Sequence, residues 1–122
     1  MRFFLNSPFN KFNLTNLIMH QFIINATIQV IPIVQDKHPY EWVDEAIHII
    51  QAAGIQYEVR PFSTELEGTY EQVMKVVNEV NEHLYAKKCH EWITNVQLQI
   101  RSEGDMTAEE KVGKYQRPVL KS

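Results

Sequence analysis

The residues of this chain with chemical potential gather in one stretch, Gly54 to Gly68, which reads Gly-Ile-Gln-Tyr-Glu-Val-Arg-Pro-Phe-Ser-Thr-Glu-Leu-Glu-Gly. Glu65 and Glu67 stand two apart, and on a strand that spacing puts both carboxylates on one face. Such a pair can serve acid–base work, but Arg60 nearby makes charge pairing the stronger reading. Ser63 and Thr64 follow Pro61 at a tight corner. Thr64 either fixes that corner through local backbone hydrogen bonds or meets a ligand.

Elsewhere the chemistry is sparse. His20, His38, His48, His83 and His90 show no metal-ligand spacing with cysteine or paired carboxylates, and read as solvated surface residues. Cys89 precedes His90, and neighbours on a strand point to opposite sides, so they make no nucleophile pair. The four glycines are isolated beside turns and caps, with no phosphate loop among them. No catalytic residue, metal site or cofactor is expected.

The elements that position the corner follow from periodicity. Phe22 to Ile33 alternates Ile24, Ala26, Ile28 and Val30 against Asn25, Thr27 and Gln29, the period-two pattern of a half-buried strand. Pro39 suits the first turn of a helix whose apolar stripe is Val43, Ala46, Ile47, Ile50 and Ala53, with Gly54 as its left-handed stop. Short strands over Ile55–Phe62 and Thr64–Glu67 flank the corner. Thr69 and Gln72 form a capping box for a second helix striped by Val73, Val76, Val77, Val80 and Leu84, closed by Lys87 and Lys88. Glu91 to Arg101 alternates again as a last strand. Thr107 and Glu110 read as a capping box for a short terminal helix that frays by Arg117-Pro118.

The order strand, helix, strand, strand, helix, strand predicts an α+β, ferredoxin-like βαββαβ sandwich: a four-stranded antiparallel sheet with both helices on one face. Right-handed crossovers place the first and third strands at its centre. The covered face carries Ile24, Ala26, Ile28, Val30, Leu66, Val96, Leu98 and Ile100. The open face collects Asn25, Thr27, Gln29, Glu58, Arg60, Glu65, Glu67, Asn95, Gln97, Gln99 and Arg101. That surface is either simply wetted or makes contacts across a two-fold interface.

Composition narrows the function classes. The 122 residues suit one domain, with 19–122 as its extent. Residues 1–18 interleave phenylalanines with Asn, Pro and Lys in neither period, and read as a disordered leader before a working start at Met19; an arm packed on a neighbouring subunit is the other reading. A net charge of −3 and a pI near 5.9 give no basic footprint for nucleic acid. No apolar run approaches the ~20 residues of a membrane span. The single cysteine fits a reducing, cytoplasmic setting.

The pattern Gly54-Ile55-x-Tyr57-Glu58-Val59-x-Pro61-x-Ser63-Thr64-x-x-Glu67-Gly68, then Thr94 to Arg101, then Met106-Thr107-x-Glu109-x-Lys111-Val112, resembles the small thiamine-binding protein family over about Ile23 to Lys114. Where that family often has a Gly-containing loop after its first strand, this chain has Val34-Gln35-Asp36-Lys37. The resemblance implies a ferredoxin-like fold, assembly as a homodimer or homotetramer, and a binding protein rather than an enzyme. Its ligand would be thiamine or the hydroxymethylpyrimidine portion, held as carrier, buffer or sensor. On the matching motif it implies Ser63, Thr64 and Glu67 as ligand residues. Gln29, Tyr57 and Asn95 join them from strand geometry, Tyr57 sharing the parity of Val59 and so competing with a core role. A structural or regulatory homo-oligomer without a ligand, joined through its polar sheet face, is the alternative.

Overall fold

A computed structural model describes residues 21–116. The expected disordered leader over 1–18 and the fraying at Arg117-Pro118 lie outside the described residues. Strand β1 (Ile24–Pro32) pairs antiparallel with β3 (Thr64–Gly68) on one side and β4 (Trp92–Gln99) on the other. β2 (Gln56–Val59) completes the sheet order β2-β3-β1-β4, so the first and third strands are central as the crossover rule requires. The register sets Ala26 between Leu66 and Leu98, and Ile28 between Thr64 and Val96. Those residues share the face that the helices cover. The fold is ferredoxin-like.

Helix α1 (Pro39–Ala52) starts where His38 Nδ1 accepts from the Tyr40 N–H at 3.1 Å and the Glu41 carboxylate accepts from the His38 N–H at 3.0 Å. His38 is thus a cap and not a free surface histidine. The helix ends before Gly54, whose φ of 80° is the left-handed conformation expected of a stop. Its buried stripe is Trp42, Ala46 and Ile50, rotated from the predicted one because the Trp42 indole occupies the core. Val43 and Ile47 are left half-buried on the flank.

Helix α2 (Tyr70–Ala86) has both halves of its capping box, with Gln72 N–H donating to Thr69 Oγ1 at 3.2 Å and Thr69 N–H to Gln72 Oε1 at 3.0 Å. Val73, Val76, Val77, Val80 and Leu84 are all buried, as the stripe predicts. Each such side chain is worth roughly 1.5–3 kcal/mol against exposure. Two expectations fail here. Val96 and Ile100, placed on the covered face, are 37% and 38% exposed, because α2 lies over β3 and β1 and meets β4 mainly through Asn81, which accepts from Trp92 Nε1 and Thr94 Oγ1. His83, expected in solvent, is half-buried and bonded to Glu45.

That Glu45 carboxylate ties the two helices to the β1–α1 loop. Lys37 Nζ lies 2.8 Å from it, His83 Nε2 3.1 Å, and the Lys37 ammonium also sits 3.8 Å over the Trp42 ring. The hydrogen bond from Lys37, with that from His83 behind it, holds the Glu45 carboxyl below the usual carboxylate range against the opposing effect of burial. Burial pushes the Cys89 thiol up, so it stays an inert core group.

Two outcomes are expected. Leu84→Ala, which empties a fully buried site, should lower the stability measured by urea unfolding by about 2–5 kcal/mol; a loss within the surface-substitution range would contradict this packing. Folding lowers the Glu45 pKa, so its contribution is complete above the unfolded pKa and is lost as pH falls through the folded one. The melting temperature of the wild type should therefore exceed that of Glu45→Gln at neutral pH, with the gap closing as pH falls through the lowered pKa of the folded carboxyl. A gap constant across that range would show that the ionised carboxylate is not the source.

Candidate ligand-binding site

The β2–β3 corner is closed by the Arg60 N–H donating to the Ser63 carbonyl at 2.9 Å, with Pro61 and Phe62 between them. Pro61 presets the turn and has no N–H to leave unpaired. Arg60 is anchored by Glu58 and Glu65, each 3.2 Å from its guanidinium. Arg60 thus takes Glu65 as expected but leaves Glu67 for other partners. The corner borders a cavity on each side of the sheet.

On the helix side, a cleft of about 400 Å³ opens between the corner and the first turns of α1. Its walls are Ile28 and Val30 from β1 and the displaced Val43 and Ile47 from α1. Tyr40 and Phe62 line it as well and are 73% and 84% exposed, so two aromatic rings stand at its mouth. Ser63 and Thr64 supply hydroxyls. Thr64 is only 5% exposed, and neither hydroxyl makes a hydrogen bond to another of the described residues. Arg60 is the one charged side chain among the described lining, and its charge is met by the two glutamates. A largely apolar cavity of this size with a few polar groups is the ordinary form of a small-molecule site.

On the open face, a trough of about 490 Å³ lies between the sheet and a short helix α3 (Ala108–Val112). The open face is therefore not bare. Glu67 Oε1 accepts from Asn25 Nδ2 at 3.1 Å and from the Ala108 N–H. Asn25 also donates to the Met106 carbonyl at 3.0 Å and is buried, contrary to its expected place on an uncovered surface. Lys111 Nζ donates to Gln99 Oε1 at 2.7 Å, and Arg101 binds Glu110 at 2.7 Å. The expected capping box of α3 is only half made: Thr107 accepts from the Glu110 N–H, while the Glu110 carboxylate goes to Arg101.

The six predicted ligand residues therefore divide. Ser63 and Thr64 meet in the cleft, where Gln29 borders them. The Gln29 side chain is committed elsewhere, donating to the Phe62 carbonyl at 2.7 Å and accepting from Asn95 Nδ2 at 3.1 Å. Asn95 lies across the sheet from the cleft, in a shallow open-face hollow that also reaches Ser63. Glu67 holds α3. Tyr57 pairs in register with Leu66, on the helix-side parity of the edge strand, and is not among the cleft residues. Thr64 and Glu67 cannot act together because Thr64 shares the parity of Leu66 and Glu67 has the opposite one. Tyr40, Val43 and Ile47 were missed as lining residues, since an apolar stripe on a helix gives no sign of which member turns out of the core. Among the described residues no group of three His, Cys, Asp or Glu could hold a metal ion.

The chain has relatives among known proteins. It is 33% identical over 91 residues to a UPF0045 protein of Clostridium perfringens, spanning 75% of this chain and 95% of that protein. Among solved structures, it resembles a Bacillus cereus domain of unknown function, DUF77, with a TM-score of 0.74 and 30% identity over 79% of this chain and 92% of that one. A Thermotoga maritima protein assigned in name to thiamine biosynthesis or salvage is similar at a TM-score of 0.70 and 33% identity, covering 77% of this chain and 99% of that one. The profile of the thiamine-binding protein family matches residues 26–116, from the second turn of alternation in β1 to the end of the described chain. Fold, corner motif and sequence agree: the chain belongs to the thiamine-binding protein family.

Proposed function

We propose that this chain is a binding protein and not an enzyme, and that it takes thiamine through its hydroxymethylpyrimidine portion in the cleft between α1 and the corner. The observation that carries this reading is the pair of hydroxyls, Ser63 and Thr64, which line an otherwise apolar cleft without bonding to another described residue, with Tyr40 and Phe62 at its mouth. A pyrimidine needs a flat contact and partners for ring nitrogens and an exocyclic amine. Aromatic rings, hydroxyls and the corner's backbone carbonyls provide that chemistry. The cleft is close to neutral, so a cationic thiazolium would rest outside it, toward solvent or the rings. The protein would act as carrier, buffer or sensor in the cytoplasm, without a cofactor. No helix among the described residues is long and apolar enough to cross a membrane.

We further propose a homodimer or homotetramer. A structural oligomer without a ligand is the second reading, favoured by Ile31 and Ile93, a cross-strand apolar pair exposed on the open face. Ligand titration separates the two. Hydroxymethylpyrimidine and thiamine should each raise the melting temperature, by the equivalent of about 2.7 kcal/mol at a hundred times Kd. Thr64→Val preserves shape while removing the hydroxyl, and should weaken binding by about 1–3 kcal/mol. Glu67→Gln should leave the affinity within about threefold, because that carboxylate is committed to α3. No melting shift, or binding lost in Glu67→Gln but kept in Thr64→Val, would overturn the assignment.

A further inference from the structure

The open-face trough contains a buried acceptor that the chain leaves unmet. The strand register sets Glu67, Asn25 and Gln99 in one row across β3, β1 and β4. Asn25 is only 8% exposed, and its Nδ2 is used twice, on Glu67 and on the Met106 carbonyl. Its Oδ1 is buried and has no hydrogen-bond partner among the described residues. An amide oxygen points away from its nitrogen, so Oδ1 turns from Glu67 into the trough that Asn25 lines. A buried acceptor without a donor is costly, and native proteins rarely leave one so.

The charges at the two ends of that row are also unmet. Glu67 is half-buried, takes only the neutral N–H groups of Asn25 and Ala108, and forms no ion pair among the described residues. The trough's other carboxylate, Glu65, is by contrast met by Arg60. At the far end Lys111 Nζ rests on a neutral amide, Gln99 Oε1, and has donors to spare. Two strand spacings separate the ends of the row, about 10 Å. Carboxylate, unmet carbonyl and ammonium thus follow one another along a single line.

We propose that this trough is a second ligand site and takes a short ω-amino acid as its zwitterion. The ligand's ammonium donates to Asn25 Oδ1 and to Glu67, and its carboxylate accepts from Lys111. Simpler occupants fit less well. The trough's volume of about 490 Å³ far exceeds the roughly 30 Å³ of one water. A calcium ion takes roughly six to eight oxygens, and no group of three His, Cys, Asp or Glu exists among the described residues. A plain amine leaves Lys111 unmet, and an α-amino acid holds its charges too close together to span the row. This site does not rest on the cleft, which lies on the other face of the sheet.

The test is calorimetry on the full chain with γ-aminobutyrate. Glycine shortens the span, while propylamine and butyrate each carry one charge alone. γ-Aminobutyrate should bind at least about tenfold more tightly than any of these three, and should shift the NMR signals of the Asn25 side-chain amide. Glu67→Gln should weaken it about tenfold by removing a charge-assisted bond. Lys111→Met should weaken it about threefold, as suits an exposed pair. Lys111 is exposed, so this second variant keeps the test open should Glu67→Gln loosen α3. No binding of γ-aminobutyrate, equal affinity for propylamine, or full affinity in Lys111→Met would overturn the site. Hydroxymethylpyrimidine should bind Lys111→Met as it binds the wild type, so failure of the trough and failure of the cleft are seen separately.

Discussion

Double-sided pairing of β1 is the constraint on which the rest of this molecule depends. A strand hydrogen-bonded along both edges cannot slip by one residue without sending Ile24, Ala26 and Ile28 to the wet face and Asn25, Thr27 and Gln29 to the core. Once that register is fixed, so are the faces of its neighbours. Leu66 and Leu98 must flank Ala26, and Thr64 must lie beside Ile28 under the helices. The corner at Pro61 is then held with one hydroxyl, Thr64, turned into the helix layer. The cleft follows from the sheet.

Helix α1 sets the other wall. A tryptophan is too large to share a narrow layer with a full apolar stripe, so burying Trp42 turns Val43 and Ile47 toward the flank. The same turn brings Tyr40 out over the cleft mouth. Capping by His38 and Pro39 holds the start of the helix in register with the corner. Across the sheet the polar groups are mostly spent on one another: Gln29 with Asn95, Glu67 with Asn25 and α3, Lys111 with Gln99. The buried Asn25 Oδ1 is the exception there, with no partner among the described residues, whereas the cleft presents two hydroxyls that bond to no other described residue.

Much of this was legible in the sequence where the signal is local. The stripe of α2, its capping box, the Gly54 stop and the alternation of β1 and β4 each rest on residues a few positions apart. The parity that separates Thr64 from Glu67 was legible as well, because Leu66 lies between them and was assigned to the covered face; treating the corner as a single site overrode it. What could not be read depends on distant partners. The Asn25–Met106 and Glu67–Ala108 contacts join residues 81 and 41 positions apart, and no local pattern marks them. Nor does a stripe of five apolar residues reveal that Trp42 will displace Val43.

The central claim is that a small heterocycle enters from the α1 side of the corner. Amide chemical-shift mapping with hydroxymethylpyrimidine tests it most directly. The account predicts the largest shifts at Tyr40 to Ile47 and Arg60 to Thr64, with the backbone of Asn95 to Gln99 and of α3 unmoved. Shifts concentrated on Thr27, Gln97 and Lys111, or none at saturating ligand, would contradict it.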